Sequence, residues 1–167
     1  MATPPKPQKR SALVADPSSH MTALIAVMLR SIDIRQVDAV IDLAGTQAAL
    51  ARRAYSLVLV DDQLGGETLA GMVRAVRHDH EHPNRETPII MMAAAPDAHM
   101  IARARDAGVT EFLRKPFSAE HIALRLDGLR TAPRAFVEAG EFAGPDRRRR
   151  RDATKARSRR AGDAAKG

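Results

Sequence analysis

SLVLVDDQLGG, residues 56–66, is the stretch on which the fold turns. Residues 56–60 form a short apolar run of branched side chains, the pattern of a strand buried on both faces. The run ends in Asp61 and Asp62, and Gly65-Gly66 then breaks the chain before a helix carrying Leu69, Met72, Val73 and Val76. Two shorter apolar runs share this character, Ala12–Ala15 before Asp16-Pro17 and Ile89–Met92 after Pro88, and Glu111–Arg114 before Lys115-Pro116 reads as a short fifth strand. Gln36–Ile41 reads as a further strand. Between them lie helical patterns. Ser18 or Ser19 caps a stripe of Met21, Leu24, Ile25, Met28 and Leu29, Thr46–Tyr55 carries Leu50, and Asp97–Ala107 stops at Gly108. Ser118 caps a last helix with Ile122, Leu124, Leu126 and Leu129. Residues 78–88, HDHEHPNRETP, read as a polar loop.

Strands alternating with helices predict an α/β fold: a five-stranded parallel sheet, doubly wound with helices on both faces. Such sheets gather functional groups at the carboxyl ends of their strands. Asp16, Asp61 and Lys115 each lie at or just after a strand end, so two carboxylates and an ammonium are expected at one edge.

Charge divides the 167 residues into an arm, a body and a tail. Lys6, Lys9 and Arg10 make residues 1–10 a basic arm, expected to be disordered. Residues 11–131 carry 13 Lys/Arg against 15 Asp/Glu, and residues 132–167 carry 11 against 5. Periodicity stops near residue 132, and the tail runs through five consecutive arginines, so 132–167 is expected to be disordered when free. An anionic partner is expected for it. The chain has no cysteine, which excludes disulfides and thiolate metal sites, and no apolar run long enough to span a membrane. MATPPKPQKR lacks an apolar segment behind it, so a cytoplasmic setting is expected. His78, His80 and His82 alternate, but without an obvious fourth ligand they read as solvated loop residues rather than a metal site.

ALVADPSSHMTALIAVMLR, LVLVDDQLGG, PIIMMAAA and DAGVTEFLRKPFS, taken in order, resemble the landmark stretches of the bacterial response-regulator receiver domain, a flavodoxin-like fold, with the chemotaxis-type single-domain members nearest in layout. The resemblance implies that Asp61 is the phosphoacceptor, that Asp16 and Asp61 with the Gln63 carbonyl hold Mg²⁺, and that Lys115 neutralises the phosphoryl group. Three departures stand out. Pro17 replaces one of the acidic pair, Ala93 replaces the hydroxyl residue that grips the phosphoryl group, and Phe112 replaces the switch tyrosine. Weakened Mg²⁺ binding and poor coupling to phosphorylation are expected. Asp62 is a second acid beside Asp61 that either partly replaces the missing carboxylate or, the preferred reading, is a solvated loop charge.

GEFAGPDRRRRR, residues 140–151, resembles the arginine-rich segment of chemotaxis-receiver-like effectors of cyclic di-GMP. That resemblance implies a non-enzymatic effector that acts on the flagellar motor or related surface behaviour. Arginine pairs with phosphate and with the guanine edge in a bidentate way, and its plane stacks on bases. Arg147, Arg148, Arg149, Arg150 and Arg151 are therefore expected to capture the nucleotide, with Phe142 stacking on a base and Asp146 accepting from guanine. The alternatives are a phosphorylation-dependent regulator using Asp61, and nonspecific binding of nucleic acid or membrane by the tail. No helix-turn-helix pattern follows the body, so no specific DNA reading is expected.

Overall fold

A computed structural model describes residues 10–148. Its central sheet has the strand order β2-β1-β3-β4-β5, all parallel, with β1 Ser11–Ala15, β2 Gln36–Val40, β3 Leu57–Asp61, β4 Ile89–Ala93 and β5 Glu111–Arg114. The three central strands are buried along their whole length, which is why their sequences are continuously apolar; β2 and β5 are the edges and carry the polar residues.

Five helices cover the two faces: α1 Ser19–Ser31, α2 Leu43–Arg52, α3 Gly66–His78, α4 Ala98–Ala107 and α5 Ala119–Thr131. Alternate strand residues feed opposite cores. Leu13, Val58, Val60, Ile89 and Met91 pack with Leu50, Leu69, Val73, Val76 and Ala104 beneath α2, α3 and α4. Val14, Leu57, Leu59, Ile90 and Met92 pack with Ile25, Leu29 and Ile122 beneath α1 and α5. Each fully buried Val, Leu, Ile or Met side chain among them contributes about 1.5–3 kcal/mol. Two residues expected inside face solvent, Leu24 at 41% and Leu124 at 61% exposure. The second helix begins at Leu43, three residues before the expected start, because Asp42 caps it by accepting from the Gly45 N–H.

The polar loop after α3 is pinned. Asn84 is fully buried, accepts from the Tyr55 N–H at 2.8 Å and donates to the carbonyls of Leu50 and Arg53, both at 2.7 Å. Arg77, also fully buried, donates to the carbonyls of Gly108 at 3.0 Å, Thr87 at 2.9 Å and Arg85 at 2.5 Å.

Residues 136–145 correct the expectation of a disordered tail. They form an antiparallel hairpin, β6 Phe136–Ala139 and β7 Phe142–Pro145, joined by the two-residue turn Gly140-Glu141. Gly140, at φ +60°, supplies the turn conformation that L side chains resist. The hairpin is ordered because it has apolar surface to bury. Phe142, Ala143 and Gly144 lie against α3 and α4, and a Cβ on Gly144 would stand 3.0 Å from the Gly108 Cα. The arm, apart from Arg10, and the tail beyond Arg148 lie outside the described residues. No helix among the described residues is long and apolar enough to cross a membrane.

Candidate functional site

Parallel register brings the expected acids and lysine to one edge. Ala15 pairs with Val60, Asp61 with Met92 and Ala93 with Arg114, so Asp16, Asp61 and Lys115 come together at the carboxyl end of the sheet. Both carboxylates are almost wholly buried, at 3% and 2% exposure, so they need a neutralising partner. Lys115 Nζ bridges them, donating to Asp16 Oδ2 at 2.8 Å and pairing with Asp61 Oδ2. The remaining oxygens accept from main-chain N–H groups, Asp16 Oδ1 from Ser18 at 2.8 Å and Asp61 Oδ1 from Gln63 at 2.9 Å. Burial alone would push the Lys115 ammonium down, yet the hydrogen bonds and charges of Asp16 and Asp61 lift it above the usual lysine value. Asp62 is half-buried rather than a solvated loop charge: burial, then the neighbouring Asp61 charge, push its carboxyl up.

The departures read from the sequence have a geometric meaning. Ala93 is buried at the end of β4, and its carbonyl accepts from the Lys115 N–H at 2.9 Å, so a methyl stands where the family places a hydroxyl. Phe112 packs against the core beneath α2, α3 and α4. A Mg²⁺ bound at this edge would draw on two carboxylates, Asp16 and Asp61, and the Gln63 carbonyl. Mg²⁺ accepts one or two carboxylates and keeps its waters, so these residues fit it, more weakly than a three-acid set would. Among the described residues no group of three His, Cys, Asp or Glu side chains could hold a metal. His78 meets the Glu141 carbonyl at 3.1 Å, His80 lies 3.9 Å from Glu138, and His82 Nδ1 accepts from the Asn84 N–H at 3.0 Å.

At the opposite pole the hairpin positions the first tail arginines. Phe142 is only 8% exposed and Arg147 lies over its ring at 4.3 Å, so its expected role of stacking on a base is corrected: the ring holds the guanidinium instead. Arg147 also pairs with Asp106 of α4. Asp146 accepts from the Arg148 N–H at 2.9 Å and donates its own N–H to the Ala135 carbonyl at 2.8 Å, which closes the open end of the hairpin. Arg149, Arg150 and Arg151 lie outside the described residues.

Reasoning from sequence missed Arg77, Arg85 and Arg134. Arg85 pairs with Glu138 and lies over the Phe136 ring at 4.4 Å, and Arg134 pairs with Glu111 at 2.5 Å. Burial draws the Arg77 guanidinium down to about 10. The only signal for it is a charged residue set beside the apolar stripe of α3.

Comparison with known proteins agrees with this architecture. The family model described as the response regulator receiver domain matches residues 12–127. Chemotaxis protein CheY-3 of Vibrio cholerae is 24% identical over 115 residues, 69% of this chain and 87% of that protein. The peroxide stress-activated histidine kinase mak1 of Schizosaccharomyces pombe is 27% identical over 78 residues, 45% of this chain, but the match spans only 5% of that protein's length. Protein PetR of Rhodobacter capsulatus is 28% identical over 105 residues, 59% of this chain and 42% of its own length. Among solved structures, chemotaxis protein CheY4 of Vibrio cholerae superposes with a TM-score of 0.63 at 21% identity, covering 71% of this chain and 96% of that one. The receiver domain of a sensor histidine kinase from Pseudomonas aeruginosa, with a magnesium ion coordinated in its active-site cleft, gives 0.62 at 24% identity over 71% of this chain and 94% of that one. These likenesses show the fold, and the family model covers more than half of the chain: it belongs to the response regulator receiver domain family.

Proposed function

We propose that this chain is a non-enzymatic signalling effector in which the receiver fold carries an arginine-bearing segment that binds cyclic di-GMP. The loaded segment then promotes docking on a protein partner such as a flagellar motor switch component. The observation that carries this reading is the anchored hairpin. Its Phe142 ring holds the Arg147 guanidinium 4.3 Å from the ring centre, at the head of the run Arg147–Arg151. A guanidinium on an aromatic ring can still offer N–H donors to phosphate and its other face to a base, and here an entering phosphate competes with Asp106 for the donor edge. Holding it in place beforehand lowers the ordering cost of binding.

A second reading rests on the Asp16, Asp61 and Lys115 cluster, which is equipped for phosphorylation at Asp61. Mg²⁺, held by Asp16, Asp61 and the Gln63 carbonyl, would supply charge neutralisation for an incoming phosphoryl group. Asp61 presents the nucleophilic carboxylate, and Lys115 would turn from the carboxylates to the phosphoryl oxygens. Ala93 offers no hydroxyl to hold the product, so the bound phosphoryl group would bias the fold weakly between its two states.

Calorimetric titration separates the readings. Cyclic di-GMP, with GTP as control, is added to the full chain, to the double variant Arg147→Ala/Arg148→Ala, and to Asp61→Asn. Cutting at Thr131 is unsuitable, because it strips the hairpin from α3 and α4. Selective binding that the arginine variant loses and Asp61→Asn keeps supports the effector. No selective binding by the full chain at near-physiological salt sinks it. Binding to short duplex DNA that fades steeply with salt identifies the segment as a nonspecific polycation.

A further inference from the structure

Two clefts adjoin at Arg134. The smaller, ≈ 300 Å³, is lined by Arg105 of α4, Glu111 and Phe112 of β5, Arg134 and Arg147. The larger, ≈ 810 Å³, runs along the C-terminal half of α5 and takes in Leu124, Arg125, Leu129, Arg134 and Arg148. Glu111 and Arg134 line both. The arginines come from four places in the fold: α4, α5, the connector after it, and the end of the hairpin.

Their charges are unequally matched. Arg134 is held by Glu111 at 2.5 Å and donates to the Thr110 carbonyl at 3.2 Å, while Arg147 is held by Asp106. Among the described residues, Arg105, Arg125 and Arg148 make no ion pair. Five arginines therefore face three carboxylates, Asp106, Glu111 and Asp146, which leaves an excess of two positive charges. Leu124, 61% exposed, adds an apolar platform on the α5 wall of the larger cleft.

We infer that this double cleft is the seat of a nucleotide bearing two phosphodiesters, gripped jointly by the receiver body and the arginine-bearing segment. The inference rests on the cyclic di-GMP reading and extends it. Arg105 and Arg125, on helices of the body, bind the ligand alongside Arg134 and Arg147, and a base packs on Leu124. Two diester charges match the excess of the groove. The carboxylates of Asp106 and Glu111 hold two of the arginines ready and compete with the entering phosphates for them. A ligand seated here also covers the α4, β5 and α5 side of the body and touches Phe112.

The test is titration of the full chain with cyclic di-GMP, comparing wild type with Arg105→Ala, Arg125→Ala, Asp106→Asn and the remote control Arg35→Ala. Arg105 and Arg125 are exposed, and circular dichroism with a melting curve checks that their variants fold. Arg105→Ala and Arg125→Ala are each expected to weaken binding roughly tenfold, the usual loss of one charge-assisted contact. Asp106→Asn is expected to tighten binding a few-fold, and Arg35→Ala to leave it unchanged. Wild-type affinity in both Arg105→Ala and Arg125→Ala overturns the joint site while leaving cyclic di-GMP binding by the segment intact. No binding by the wild type overturns both.

Discussion

The two ends of the central sheet solve opposite electrostatic problems. At the carboxyl end, two buried carboxylates share one ammonium, and each has its second oxygen on a main-chain N–H. At the amino end, the buried Arg77 guanidinium pairs with no carboxylate among the described residues and is satisfied by the carbonyls of Asn84, Arg85, Thr87 and Gly108 and the hydroxyl of Thr110. The first end is built of family landmarks, with Pro17 and Ala93 in place of two of them. The second is built mostly of residues outside those stretches, Arg77, Asn84, Arg85 and Thr87, joined by Gly108 and Thr110 from DAGVTEFLRKPFS, and it seats a hairpin. The difference teaches that the acidic cluster and the added structure are separate: Asp16, Asp61 and Lys115 meet at one pole, while the hairpin, and the arginines it orients, lie at the other.

Breaking the amino end should cost most. Arg77→Ala leaves several buried carbonyls without a donor and opens a cavity, and is expected to destabilise the fold by about 4–5 kcal/mol in urea titration. Gly108→Ala attacks the same place from outside. The residue has φ +105°, and a Cβ would lie 2.7 Å from Arg77 Cγ and 3.0 Å from the Ala143 carbonyl oxygen. We expect a loss of about 2–4 kcal/mol, with amide exchange showing the hairpin released from α3 and α4. At the carboxyl end, Lys115→Ala removes the shared cation and is expected to cost about 1–3 kcal/mol at neutral pH by thermal or urea unfolding.

The smallest effect sharpens the comparison through pH. The Asp62 carboxyl is raised by burial and by Asp61, so its ionised form is disfavoured in the folded state. The penalty is full above the folded value, shrinks as pH falls towards the ordinary aspartate range near ~3.9, and is gone below it. Asp62→Asn is therefore expected to stabilise the protein at pH 7 by under about 1 kcal/mol, with the gain absent in urea melts at about pH 3.

Much of the carboxyl end was legible in the sequence. Continuous apolar runs mark buried strands, and polar residues straight after them fall at one edge once the strands are parallel, which placed Asp16, Asp61 and Lys115 together before any coordinates. The hairpin was not read, although Phe136-Val137 and Phe142-Ala143 flank a two-residue turn with glycine, a recognisable hairpin pattern. Strands of four residues give too little periodicity to stand out in a basic, glycine-bearing segment. Its stability also depends on a long-range fact, the close approach of Gly144 to Gly108, which no local pattern carries. Phe142 was assigned to the ligand for the same reason: its burial under Arg147 follows from the docked hairpin. Arg105, Arg125 and Arg134 were missed because they are scattered singly and meet only in the fold.

The most direct test of the account is a pair of amide NMR titrations on the full, isotope-labelled chain, one with cyclic di-GMP and one with beryllofluoride and Mg²⁺. The account predicts that cyclic di-GMP shifts Arg105, Arg134 and residues 142–148 strongly, and that beryllofluoride produces changes confined to the neighbourhood of Asp61. Silence of the hairpin toward cyclic di-GMP, with beryllofluoride changes spreading through Phe112 and α4, would contradict it and return the output to the Asp16, Asp61 and Lys115 cluster.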